Sequence, residues 1–247
     1  MNGQKALKQI ALIKTGCTIN EIIPKHGDFE DWFAAGLGVP DLLQIDVFRH
    51  QPLPGPENLA AIVITGSPAM VSAKLDWSEH TAQWLRQAVQ TGIPVLGVCY
   101  GHQLLAHALG GVAGPNPAGR QIGTVVAQLI DNIDDDPLLG HLPRTFSAQT
   151  SHSEAVLQLP PGARRLATSP LDDNFAIRFA KNAWGVQFHP EFLAPVAADY
   201  IRCRADALRD EGLNPMQLLG NITDTAEASS VLQKFTELTR NHASSQV

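Results

Sequence analysis

The 247 residues carry 18 Lys and Arg against 24 Asp and Glu, a formal net charge of -6, and 44% of them are hydrophobic. That balance excludes the basic stripe of a nucleic-acid binder and supplies apolar material for one α/β domain, or at most two small ones. The sequence has no secretory core at its N-terminus, no apolar run near the roughly 18 residues that span a bilayer, and only three scattered cysteines (Cys17, Cys99, Cys203), so it reads as a soluble protein of the reducing cytoplasm, without membrane contact, disulfide framework or metal ligands.

Met1 to Lys8 is polar and reads as a loose arm, and Gln9 to Lys14 reads as the first strand. Asp28 is placed to cap a short helix whose Phe29, Trp32 and Phe33 recur at helical spacing and read as core. Leu42 to Phe48 predicts a second strand, and Gln51 to Pro56 a Pro-rich connection. Ala60 to Thr65 is another buried strand, running into Gly66-Ser67-Pro68. A helix is predicted from Ser78 to Val89, ended by Gly92. Strands alternating with helices imply right-handed crossovers and a parallel sheet covered on both faces.

Ile93 to Val98 is a short β-branched run, and Gly97-Val98-Cys99-Tyr100-Gly101 follows directly, with a helix predicted over Gln103 to Leu109 and stopped by Gly110-Gly111. A strand, a tight turn and a helix around one nucleophilic side chain make a nucleophile elbow, with sulfur in place of the usual hydroxyl. The helix N-terminus behind Cys99 favours the reactive thiolate. Beyond Gly111 the texture changes. Val112 to Gly123 is Gly/Pro-rich; Ile122 to Ile130, Arg144 to Gln149, Ala155 to Leu159, Arg165 to Thr168 and Phe175 to Phe179 read as short strands. Asp131 to Asp136 reads as a solvated acidic loop. Trp184 to Phe188 returns as a buried strand, and two helices, Val196 to Arg209 and Glu227 to Asn241, close the chain.

A cysteine nucleophile needs a base, and the base needs an orienting group. His189 ends a buried strand as Cys99 does, so both belong at the carboxyl edge of one parallel sheet, where open α/β sheets bind ligands. Glu191, beyond Pro190, can turn back to fix the ring's tautomer. His102 is the rival base by proximity, but it sits on the elbow helix and need not face the sulfur. His107 packs or is solvated, and His152 either borders the pocket or is a turn residue. Acyl transfer also needs main-chain N–H donors at the developing oxyanion: one from Tyr100, and a second from Ser67 or Gly66.

Gly97-Val-Cys-Tyr-Gly-His-Gln103, Val186-Gln-Phe-His-Pro-Glu191 and Thr65-Gly-Ser-Pro68 together resemble a class I (triad) glutamine amidotransferase domain, and are most similar to the glutaminase part of GMP synthetase. The likeness implies Cys99 as nucleophile, His189 as base, Glu191 as orienting carboxylate and the backbone of Ser67 and Tyr100 as oxyanion hole. It implies Gln103, with Gly66, Ser151 and His152, beside the substrate, and an Arg-x-x-Gly strand start at Arg120 to Gly123. It also implies glutamine hydrolysis through a γ-glutamyl thioester, with release of ammonia and no cofactor. Ser67 stands where that family usually has glycine. No ATP-pyrophosphatase motif of the Ser-Gly-Gly-x-Asp-Ser kind occurs before Val247, so any synthetase is expected to be a separate partner.

The expected fold is a three-layer α/β/α sandwich of the flavodoxin-like class I amidotransferase kind, with a mostly parallel central sheet and a β-rich insertion. One domain is expected over 1–247, with its motif core at about 60–193 and C-terminal helices at about 196–241. The rival activity is a γ-glutamyl peptidase, whose leaving amine is larger than ammonia. A binding or regulatory module without turnover is the remaining alternative, and it has no need of intact Cys99, His189 and Glu191.

Overall fold

The computed structural model describes residues 8–244. The arm predicted at Met1 to Lys8 lies outside these, apart from Lys8. β1 (Ile10–Lys14) is buried throughout, and its side chains alternate between the two faces of the sheet: Ile10 and Leu12 enter one core, Ala11 and Ile13 the other. α1 (Ile23–His26) is a single turn, and α2 (Phe29–Leu37) opens on a capping box in which Asp28 and Asp31 satisfy each other's main-chain N–H groups. β2 (Leu43–Asp46) is shorter than the predicted Leu42 to Phe48, because the chain tightens into a 3-10 turn at Val47–Arg49. β3 (Ala61–Ile64), α3 (Asp76–Gln90), β4 (Val95–Val98) and α4 (Tyr100–Ala108) complete the parallel half.

The predicted β-rich insertion comprises β5 (Val112–Pro115), β6 (Gln121–Leu129), β7 (Thr145–His152), β8 (Glu154–Gln158), β9 (Arg164–Ser169) and β10 (Asp172–Ala180). β11 (Ala183–Val186) then returns to the centre. Among the described residues the main sheet has nine strands in the order β2-β1-β3-β4-β11-β10-β9-β6-β7. The first five run parallel, and β10, β9, β6 and β7 extend the same sheet with antiparallel pairing. β5, where no strand was predicted, pairs with β8 in a separate ribbon.

α5 (Ala194–Cys203), α6 (Ala205–Asp210), α7 (Pro215–Gly220) and α8 (Ala226–Ser244) close the chain. The single helix predicted over Val196 to Arg209 is broken at Arg204, which caps α5 and begins α6. The second segment turns so that Leu208 packs with Ile122 and Ile201. α2, α5 and α8 bury their apolar stripes on one face of the sheet, and α3 and α4 on the other. This is the three-layer arrangement expected.

The acidic loop is solvated as expected at Asp131, Asp134 and Asp135, and the correction is confined to its last residue. Asp136 is 4% exposed. Its Oδ1 accepts the N–H groups of Leu138 and Leu139 at 3.0 Å, and its Oδ2 accepts Trp184 Nε1–H at 3.3 Å and lies 3.5 Å from Arg178. A buried carboxylate is tolerated where donors surround it. No helix among the described residues is long and apolar enough to cross a membrane.

Candidate active site

β4 and β11 lie side by side in parallel register, Gly97 against Gly185 and Val98 against Val186. They therefore deliver Cys99 and the residues after Val186 to the same sheet edge. Cys99 adopts φ 51°, ψ -102°, a region L-residues avoid at a cost of about 1–3 kcal/mol. The turn that imposes this strain needs both flanking glycines. A Cβ on Gly97 would lie 2.4 Å from the carbonyl oxygen of Gly101, and one on Gly101 would lie 2.6 Å from the carbonyl oxygen of Ile64. α4 starts immediately after Cys99, three residues earlier than predicted. Tyr100 is its first residue, so the Tyr100 N–H has no acceptor within the helix. The tyrosine side chain turns away, its hydroxyl 2.6 Å from Ser78 Oγ, leaving only its main chain at the edge.

His189 is fixed from four directions. Its N–H donates to the Gln149 carbonyl at 2.8 Å, and its Nδ1 lies 2.7 Å from Glu191 Oε1. Phe192 stacks on the ring, centroids 4.0 Å apart and planes within 14°. On another side a Cβ on Gly66 would lie 2.9 Å from Cε1, so only glycine fits there. Burial alone would push the imidazolium pKa down; the Glu191 carboxylate, and then the nearby Cys99 sulfur, overcome this and raise it to about 10. Phe192 in turn meets Trp32 edge-on at 5.3 Å and Tyr200 at 4.8 Å.

The remaining sequence-selected residues form the walls. Gly66 and Ser67 follow β3; Ser67 Oγ donates to the Thr15 carbonyl at 2.7 Å and accepts Ala69 N–H at 3.1 Å, so the hydroxyl braces the loop. Gln103 is buried and donates to the Glu154 carbonyl at 2.8 Å and to Gln187 Oε1 at 3.0 Å. The Ser151 carbonyl is 4.0 Å from Cys99 Sγ. His152 lies on β7 and borders the pocket, Nδ1 2.9 Å from the Glu154 carbonyl and Nε2 3.3 Å from Gln121 Oε1. Burial pushes its pKa down to about 4, so it is neutral.

His102 packs against Phe179 and Gly185, beneath the sheet rather than beside the sulfur. Burial pushes its pKa down to about 3. His107 pairs with Glu79 at 2.9 Å. Among the described residues no group of three or more His, Cys, Asp or Glu is placed to hold a metal ion, and Cys17, Cys99 and Cys203 are free thiols.

The family model for class-I glutamine amidotransferases matches residues 41–201, well over half of the chain. The chain belongs to the class I glutamine amidotransferase family. It is 34% identical over 174 residues to one subunit of the glutamine-hydrolysing GMP synthase of Haloarcula marismortui, covering 69% of this chain and 84% of that one. It is 37% identical over 132 residues to the glutamine-hydrolysing GMP synthase of Aeropyrum pernix; that match covers 53% of this chain but only 24% of the Aeropyrum protein. Among solved structures, a glutamine amidotransferase from Methylobacillus flagellatus superposes with a TM-score of 0.72 over 97% of this chain and 95% of that one, at 22% identity. A Thermotoga maritima glutamine amidotransferase gives 0.68 over 94% and 97%, also at 22%. These last two establish a shared fold.

Within this amidotransferase fold the structure adds residues that the sequence reading passed over. Phe192 follows His189 by three residues and turns back on it, its N–H donating to the His189 carbonyl at 3.2 Å. The spacing was visible, but nothing in it distinguishes a stacked ring from ordinary core. Tyr200 OH and Thr18 Oγ1, 2.5 Å apart, close the wall opposite. Arg204 borders the site from the break between α5 and α6. Arg120, at the predicted strand start, is engaged by both carboxylate oxygens of Glu211 at 2.7 and 2.9 Å.

Proposed function

We propose that this chain hydrolyses the side-chain amide of glutamine, or of a γ-glutamyl amide, through a γ-glutamyl thioester on Cys99. The single observation that carries the reading is a buried His189–Glu191 pair, 2.7 Å from Nδ1 to Oε1, at the strand end next to a strained cysteine. Glu191 holds Nδ1 protonated, so Nε2 faces the reaction. The Cys99 thiolate attacks the amide carbon, and the Sγ–C bond forms. Negative charge gathers on the former carbonyl oxygen, where the main-chain N–H groups of Tyr100 and Ser67 stabilise it. His189 then gives its proton to the departing nitrogen as the C–N bond breaks. It takes a proton from water for the second half, which releases glutamate and restores the thiolate.

Gly66, Gln103, Ser151 and His152 enclose the glutamyl part. Gln103 is tethered by two hydrogen bonds through its amide nitrogen and acts as a wall with a fixed orientation. Ammonia is the product from glutamine. The likeness to one subunit of a GMP synthase supports a separate synthetase as its recipient.

The test is turnover of glutamine by the purified chain, followed by an electrophilic glutamine analogue and peptide mapping. Activity abolished in step with alkylation of Cys99 is expected. Burial pushes the thiols of Cys17 and Cys203 up, away from the reactive thiolate. Label on either of those two with Cys99 untouched overturns the assignment.

A further inference from the structure

Two chambers meet at Cys99, and they divide the substrate. Gln103, His152 and Glu154 border the first. His189, with Thr18 and Tyr200, borders the second. The group that protonates a departing nitrogen must face it, so the second chamber is where the leaving group lies. Ammonia needs almost no room there. This chamber, however, shares Cys17, Thr18, Ile19, Ser67 and Pro68 with a wider, largely apolar groove that runs out to Phe48, Leu75 and Trp77.

Arg204 borders both chambers and, among the described residues, is the one lysine or arginine that lines the leaving-group chamber. Its neighbour Arg120 is already neutralised by Glu211. Glu154 is likewise spent on the N–H groups of Val71 and Ser72 and the Ser72 hydroxyl. Arg204 makes no such contact, although Glu211 lies near enough for the two charges to attract. Among the described residues no carboxylate pairs with it, and its Nε is buried without a hydrogen bond. Its guanidinium lies over the Tyr200 ring, 6.0 Å from the centroid, and Tyr200 is tied through its hydroxyl to Thr18. The side chain is half-buried at the helix break, its stem placed by the fold and its guanidinium without a hydrogen-bonded carboxylate among the described residues. A guanidinium so placed is a receptor for a planar oxyanion.

We infer that Arg204 binds the carboxylate of an amino-acid leaving group, which makes γ-glutamyl amino acids the preferred substrates of this site. The inference rests on the hydrolase reading above and specifies its substrate class. The chemistry balances with water alone. The Sγ–C bond forms as the γ-amide C–N bond breaks, and His189 supplies the proton that leaves with the α-amine. Water then cleaves the thioester to glutamate. The carboxylate on Arg204 takes no part in bond making; it fixes where the nitrogen sits relative to His189.

The experiment compares γ-glutamylglycine with γ-glutamyl methylamide, which differ by the leaving-group carboxylate. The wild-type chain should favour the dipeptide in kcat/KM, and Arg204→Gln should reduce that ratio by about 10- to 100-fold, the worth of a charge-assisted hydrogen bond. Arg204→Lys should retain part of it. A ratio is insensitive to the fraction of protein folded. If Arg204→Gln lowers both substrates equally, the arginine serves the glutamyl half or the fold, and the inference is wrong. Calorimetric binding of both compounds to Cys99→Ala separates the two levels of argument. If the wild-type chain turns over neither compound nor glutamine while Cys99→Ala still binds the dipeptide in preference through Arg204, the hydrolase reading fails and the subsite stands. Turnover of glutamine with no dipeptide preference would do the reverse.

Discussion

Gly66 and His189 touch across the sheet edge: a Cβ built on the glycine would lie 2.9 Å from Cε1 of the imidazole. The contact holds the ring from a side that neither its Phe192 stack nor its Glu191 hydrogen bond covers. Gly66→Ala must therefore move a buried ring that has no slack. A displacement near 1 Å from a productive geometry costs up to about 100-fold in rate. The expected outcome is kcat reduced by about 10- to 100-fold with the fold intact, checked by steady-state glutamine hydrolysis beside circular dichroism. Unchanged kcat would show that the ring's position does not matter to the chemistry.

The proposed pair of His189 and Glu191 also has a pH signature. The histidine is raised from the ordinary 6.5 to about 10: burial opposes the charge, and the Glu191 carboxylate outweighs it. A group raised on folding contributes stability that is fully present below its unfolded pKa and is lost as pH climbs through the folded one. Stability to urea should thus decline between about pH 6.5 and pH 10. Glu191→Gln should flatten that decline and cost less rate than His189→Ala, because an amide still orients the ring but supplies no counter-charge. A wild-type stability that rises over this window would contradict the pairing.

His102 and His152 carry the opposite sign. Burial pushes them down to about 3 and about 4, so both are neutral in the folded chain while the unfolded chain protonates them near 6.5. Stability should fall as pH drops below 6.5, and fall less steeply in His102→Ala. That variant leaves a cavity beside Phe179 and should lose about 2–4 kcal/mol, with kcat of the folded fraction close to wild type. If it abolishes turnover as His189→Ala does while remaining folded, His102 has a role in the reaction that its packing against Gly185 does not suggest.

Lys14 is 2.7 Å from Asp28 and 2.5 Å from Glu30, under α2. Burial opposes the ammonium, but its hydrogen bonds to the two carboxylates hold it charged well above the usual lysine range. Asp28 meanwhile accepts the N–H groups of Thr18 and Phe29 at 2.8 Å, so it organises the loop that forms the leaving-group wall. Lys14→Met strands a buried carboxylate and should cost about 3–5 kcal/mol. Lys14→Met combined with Asp28→Asn, which removes the charge but keeps an acceptor for the Thr18 and Phe29 N–H groups, should recover part of it. Equilibrium unfolding measures both, and a single-variant loss below about 1 kcal/mol would show the pair to be effectively solvated.

Where local sterics forced the residue choice, the site could be read from the sequence. Gly97 and Gly101 are recognisable because no side chain fits against the carbonyl oxygens of Gly101 and Ile64, and such sites leave a glycine on each side of Cys99. The apolar runs of β1, β3, β4 and β11 were legible for the same reason, since a strand buried on both faces admits little else. Asp136 was not. An acidic run looks solvated until the amides of Leu138 and Leu139 turn back on one of its members and Trp184 arrives from elsewhere to complete its hydrogen bonds. The break at Arg204 carries no glycine or proline, and β5 exists only because β8 pairs with it.

The sequence by itself determined the elbow at Cys99, the strand end at His189 and the layered α/β order, because each follows from backbone sterics and hydrophobic periodicity within a few residues. It also identified the amidotransferase likeness from those three short motifs. The tertiary structure alone decided which of two arginines is hydrogen-bonded to a carboxylate, and that the insertion extends the main sheet. Those depend on partners far apart in the chain, Glu211 lying 91 residues from Arg120 and Thr168 of β9 pairing with Gln128 of β6, and pairing over such distances is set by packing, which no local pattern of side chains encodes.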